Sequence, residues 1–156
     1  MRILFAGDEH PYSEYALNET IKLAMNTWAD VTLLGVTQTS HPDDTSLGNA
    51  LRRYRETFLN SWSREDSPYI LGEGKYEWVS VRDGVLEEMK VLTGRKKDFK
   101  VRLRTGVPAR EILSESKEDG SDIIVLGCPK DDKCEWANSV PTPQQVVDDA
   151  DCSVLL

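Results

Sequence analysis

Two places in the sequence hold residues whose types and spacing could do chemistry. The first is Asp8-Glu9-His10, directly after the apolar run ILFA and Gly7. An aspartate and a histidine this close at a strand end are the parts of a general acid/base pair. An aspartate in such a place also orders the turn that leaves the strand, and His10 before Pro11 suits a polar surface position. The second is VLGCPKDDKCEWANSVPTPQQVV, residues 125–147. It reads as a strand that stops at Gly127, a polar loop, and a helix. That order of elements builds phosphate cradles, because backbone N–H groups in the loop and at the helix N-terminus point at an anion. Gly127 is the only glycine in the stretch, and a tight exit from a strand accounts for it without any ligand.

The helix that closes this stretch limits what it offers an anion. Thr142, Pro143, Gln144 and Gln145 read as a capping box, with threonine at the N-cap and glutamine three residues on. Pro143 has no N–H, and the reciprocal Thr142–Gln145 bonds engage two further donors. Lys130 could meet a phosphate as a point charge and Thr142 could supply a hydroxyl, but Asp131 and Asp132 stand beside Lys130. No GxSxG elbow, HExxH or GxxxxGK[ST] loop is present. No residue is named as a catalyst, and an enzyme is not expected. Cys128, Cys134 and Cys152 lack framework spacing, which suits a reducing compartment and ordinary small thiols. With only two histidines, a cysteine/histidine metal site is not expected.

The elements that must position these residues follow from the apolar pattern. RILFA is a buried strand. Pro11 opens a helix in which Leu17, Ile21, Ala24 and Trp28 recur at helical spacing. DVTLLGV is a second buried strand. Leu47, Leu51, Tyr54, Phe58 and Trp62 make one amphipathic helix, and Trp78, Val81, Val85, Met89 and Leu92 predict another, ended by Gly94. FKVRLR alternates apolar and basic residues, which predicts a strand with one exposed face at a sheet edge. GVPAREILSESKEDG is a helix with Pro108 in its first turn and Gly120 as its stop. DIIVLG is the most apolar strand and is expected at the sheet centre. A short helix and the strand CSVLL close the chain. Strands alternating with helices predict an α/β domain with a parallel sheet and helices on both faces.

Composition narrows the partners. The chain has 156 residues and a net charge of −8, from 19 basic and 27 acidic residues. A length of this order suits a single domain, 1–156, with an extended helical segment over about 39–97. The acidic balance disfavours nucleic acid and anionic membranes. The basic clusters Arg52, Arg53, Arg55 and Arg95, Lys96, Lys97 read as solvated faces. No run of about 18 apolar residues is present, so no membrane span is expected. The start MRILFAGDEH reads as a first strand rather than a signal peptide.

Three segments carry a resemblance to a known family, in that family's order. ILFAGDEHPYSEYALNETIKLA is similar to the first strand, aspartate turn and first helix of the universal stress protein family. RTGVPAREILSESKEDGSDIIVLG resembles its glycine-proline helix and following strand, and VVDDADCSVLL resembles its closing helix and strand. The resemblance implies an open, doubly wound, five-stranded parallel sheet of order 3-2-1-4-5 (adenine nucleotide alpha hydrolase-like). It also implies a cytoplasmic stress-response module, and a homodimer through the last strand, Cys152 to Leu156. Many members bind ATP or AMP and others bind no nucleotide. In such a sheet ligands sit at the carboxyl ends where strand order reverses, here between Ala6-Gly7-Asp8 and Leu126-Gly127. The resemblance gives Asp8 the contact to adenosine, and Val36 at the end of the second strand could pack on adenine. Its glycine motif falls on Gly127, Lys130, Val140 and Pro141. Three of these four positions depart from the motif, which implies weakened phosphate contacts. The alternative is a homodimeric interaction module that binds no nucleotide.

Overall fold

The computed structural model describes residues 1–38, 46–62, 68–69, 77–89, 97–127 and 142–156. The elements are β1 (Arg2–Ala6), α1 (Tyr12–Thr27), β2 (Asp30–Thr37), α2 (Ser46–Asn60), β3 (Glu77–Arg82), β4 (Val85–Met89), β5 (Phe99–Thr105), α3 (Pro108–Asp119), β6 (Ile123–Leu126), α4 (Thr142–Asp149) and β7 (Ser153–Leu155). They build an α/β fold on a sheet of seven strands, ordered β3-β4-β5-β2-β1-β6-β7.

This corrects the expected five-stranded sheet of order 3-2-1-4-5. The five strands β5, β2, β1, β6 and β7 are parallel to their neighbours among themselves. The two additional strands, β3 and β4, join the β5 side antiparallel. They arise from the stretch expected to form a helix from Trp78 to Leu92. The Asp83-Gly84 pair decides this segment: Gly84 has φ 75°, a left-handed conformation that glycine adopts at no steric cost and that turns hairpins. Val79, Val81 and Val85 suit the pleat on either side. Leu92 lies outside the described residues. DIIVLG also departs from expectation: β6 is interior, between β1 and β7, rather than central.

Alternation along the parallel strands sends side chains into two cores. Ile3, Phe5, Val31, Leu33 and Val125 face Leu17, Ile21 and Ala24 of α1 and Leu47, Leu51, Tyr54 and Phe58 of α2. Leu4, Ala6, Leu34, Ile124 and Leu126 face Ala109 and Ile112 of α3 and Val146 of α4. Each fully buried side chain of this kind stabilises the fold by roughly 1.5–3 kcal/mol relative to exposure. Trp28 does not continue the α1 stripe. It ends the helix in a left-handed conformation, φ 52°, with its side chain 52% exposed. Gly120 ends α3 at φ 65°, the placement expected of it.

Strand β5 is not an edge. It lies between β2 and β4, and its basic face is covered by α3. Arg102 pairs with Glu87 at 3.2 Å and Glu115 at 2.9 Å. Arg104, 3% exposed, reaches Glu111, Glu115 and Glu118 at 3.0, 2.9 and 2.6 Å. Burial works against the charge on Arg102, but Glu115 and Glu87 outweigh it and hold its pKa above the usual arginine value. On the opposite face Glu88 pairs with Arg55 of α2. Arg55 is therefore a buried ion-pair member and not part of a solvated face. Glu88 thus fastens the hairpin to α2, and Glu87 ties it to Arg102 of β5.

Candidate functional site

Strand order reverses between β1 and β6, and register sets what meets there. Ala6 lies opposite Leu126 and, on its other side, opposite Leu34. Their side chains share the α3/α4 face, and Val36, partly buried, packs against the same cluster. Ala6, Leu126 and Val36 therefore belong to one apolar cluster near the strand tips, in which Ala6 and Leu126 are fully buried. Gly7 follows Ala6, and its N–H donates to the Leu34 carbonyl at 2.9 Å. A Cβ on Gly7 would stand 2.6 Å from the Phe5 ring and 3.3 Å from Tyr54, so packing alone requires the glycine.

Asp8 is placed at the tip, and its carboxylate is occupied from within the chain. One oxygen, Oδ1, accepts from the His10 backbone N–H at 2.9 Å and from the Ser13 hydroxyl at 2.9 Å. The other, Oδ2, accepts from the Tyr12 hydroxyl at 3.0 Å. The Asp8 N–H donates back to Ser13 Oγ at 3.0 Å, and Ser13 is fully buried. Pro11 precedes α1 without a side-chain cap bond, so Asp8 and Ser13 organise the start of this helix. The Asp8 carbonyl accepts from the Tyr54 hydroxyl on α2. Burial, then the Asp8 charge, push the Tyr54 hydroxyl up to about 12.

His10 is not joined to Asp8 through its ring in these bonds. It meets Asp8 through its backbone, and the imidazole stacks on Tyr12 with centroids 5.2 Å apart and planes 21° apart. The acid/base pair suggested by their proximity in sequence is a turn.

Gly127 ends β6 against the first residue of α1. A Cβ there would stand 2.7 Å from Tyr12 Cδ2 and 2.8 Å from the Tyr12 carbonyl oxygen. The Tyr12 side chain thus spans the switch point, from beside Gly127 to the Asp8 carboxylate. Sequence reading gave Ala6, Gly7, Asp8, Val36, Leu126 and Gly127 as site residues, and the fold gathers them at the β1, β2 and β6 tips. Lys130, Cys128, Cys134 and the Thr142 side chain lie outside the described residues. Tyr12, Ser13 and Tyr54 were not singled out. The signal for the first two was a polar pair within the turn that Asp8 opens; Tyr54 was hidden in an apolar stripe to which it also belongs.

A family model described as the universal stress protein family matches residues 1–156. The chain belongs to the universal stress protein family. Solved structures of universal stress proteins share the fold. That of UspA from Lactobacillus plantarum is 19% identical, with 99% of this chain and 95% of that one covered and a TM-score of 0.62. A universal stress protein in complex with cAMP is 12% identical, with 99% and 94% covered and a TM-score of 0.64. The universal stress protein from Archaeoglobus fulgidus in complex with dAMP is 14% identical, with 99% and 95% covered and a TM-score of 0.62. No curated protein sequence matches the chain. Among the described residues of this universal stress protein, no helix is long and apolar enough to cross a membrane.

At these strand tips Ala6 and Leu126 are buried, partly buried Val36 packs against the same cluster, and the Asp8 carboxylate follows directly on β1.

Proposed function

We propose that this universal stress protein is a cytoplasmic stress-response module that binds an adenine nucleotide, ATP or AMP, at the β1/β6 switch point with weakened phosphate contacts. The observation that carries the reading is the Ala6–Leu126 register pair. It sets Asp8 and Gly127 on adjacent strand tips, where open α/β sheets take their ligands. In this reading Asp8 meets the ribose, Val36 and Ala6 flank the base, and Gly127, Lys130 and Thr142 line the phosphate end. The complexes of two relatives with cAMP and dAMP support adenine as the base. The departures at Lys130 and Val140 from the family's glycines, and at Pro141 from its serine or threonine, favour a short phosphate over a triphosphate. A melt followed by dye fluorescence tests this. Millimolar AMP raises the melting temperature, because a ligand of the native state alone stabilises it by mass action. An unchanged melt with both AMP and ATP sinks the reading.

One observation favours a second reading, a homodimeric interaction module without nucleotide. The Asp8 carboxylate is already bonded to His10, Tyr12 and Ser13, and Gly127 is accounted for by Tyr12. Both readings put a dimer interface on the segment Cys152 to Leu156, which contains β7. β7 pairs with β6 alone among the described strands, with Leu155 and Leu156 36% and 59% exposed. An apolar edge strand is a template for pairing with a second copy.

A further inference from the structure

We propose that Tyr12 is an autoinhibitory gate of the switch-point crevice, and that its displacement sets the affinity for nucleotide. The inference rests on reading that crevice as a nucleotide site, and adds how the site is regulated. Three observations place the gate. The Tyr12 ring lies against Gly127, with Cδ2 2.7 Å from where a Cβ would be. Its hydroxyl donates to Asp8 Oδ2 at 3.0 Å. The His10 imidazole stacks on the outside of the ring at 5.2 Å. The side chain therefore bridges the two strand tips between which a ligand must enter, and it holds the carboxylate that the ligand must engage.

Three internal donors take three of the roughly four acceptor positions of the Asp8 carboxylate, so an incoming donor competes with the Tyr12 hydroxyl at Oδ2. Full engagement of Oδ2 by a ligand then goes with the hydroxyl leaving Asp8 and the ring swinging from the tips. Only the fraction of molecules with Tyr12 displaced is competent, and the apparent affinity falls by that fraction. His10 is exposed and adds a stacking contact to the closed state, so it works in the same direction. The N-terminal residues of α1 stay in place in this motion. Ser13 is buried and bonded to Asp8 Oδ1 and to the Asp8 N–H, so Asp8 keeps its position when Tyr12 leaves.

The test is a calorimetric titration of the full chain with AMP for the unaltered protein, Tyr12→Phe, Tyr12→Ala and Asp8→Asn. Tyr12→Phe keeps the ring and loses the bond to Asp8. It is expected to bind AMP about two- to tenfold more tightly, the worth of one hydrogen bond. Tyr12→Ala removes ring and hydroxyl and is expected to gain at least as much; Tyr12→Phe carries the test alone if the alanine variant does not fold. Asp8→Asn is expected to bind more weakly than the unaltered chain. Binding of AMP by the unaltered protein, with equal or weaker binding by Tyr12→Phe, overturns the gate and leaves the nucleotide site standing. No binding by any of the four overturns the site and the gate with it.

Discussion

Gly127 and Tyr12 are in backbone contact across the switch point: a Cβ at position 127 would lie 2.8 Å from the Tyr12 carbonyl oxygen and 3.0 Å from its carbonyl carbon. Main-chain atoms at the start of a helix cannot yield as a flexible side chain does. The glycine that reads as the first residue of a phosphate loop is thus required by the packing of α1 on β6.

Gly127→Ala follows directly from that contact. It is expected to destabilise the protein without any nucleotide present, by about 1–3 kcal/mol, the usual cost of overpacking. Urea denaturation checks this. A variant as stable as the unaltered chain would mean that the contact relaxes freely.

The hairpin depends on Arg55 and Glu88. Their side chains are 7% and 1% exposed. Arg55→Ala leaves a buried carboxylate with Arg52 Nε 3.9 Å away, and is expected to destabilise by about 3–5 kcal/mol. The double variant Arg55→Leu with Glu88→Leu is expected to recover most of the loss, since it leaves no uncompensated charge. Denaturation of the single and double variants measures both.

Alkaline pH acts through Tyr54. Its folded pKa is raised to about 12, by burial first and by Asp8 second, while an unfolded tyrosine titrates near 10. Below pH ~10 both states keep the proton and the stabilisation is complete. As pH rises from there toward about 12 the unfolded state loses the proton first, so stability falls. Tyr69, whose hydroxyl donates to the Ala29 carbonyl, is raised by burial and by Asp30 and adds to the same trend. Tyr54→Phe is expected to flatten the fall in melting temperature above pH ~10. Equal slopes for both proteins would contradict the assignment.

The proposed dimer interface is the edge at β7. Leu155→Asp puts a charge on an exposed residue of that strand and is expected to shift the protein from dimer to monomer in light scattering while its melting temperature moves little. A dimer that survives this change, or a monomer before it, removes β7 as the interface.

Much of this architecture is legible in alternation. Ile3 and Phe5 against Leu4 and Ala6 mark a strand buried on both faces, and the spacing of Leu47, Leu51, Tyr54 and Phe58 marks α2. The hairpin was harder to read because Trp78, Val81, Val85 and Met89 fall three and four apart, a helical period; Asp83-Gly84 was the stronger signal, since it fixes a turn. Arg55 was misread because its partner, Glu88, is brought to it by the hairpin rather than by its own helix. The strand tips that gather Asp8 and Gly127 follow from the two glycine-ended strands. That Tyr12 closes the gap between them depends on the register of β1 against β6 and on where α1 begins, and neither is written in local sequence.

The most direct test of the nucleotide site is an AMP titration followed by backbone amide resonances. The account expects saturable shifts, at millimolar AMP, concentrated at Gly7, Asp8, Val36 and Gly127. Unchanged resonances at these four residues throughout the titration would contradict it.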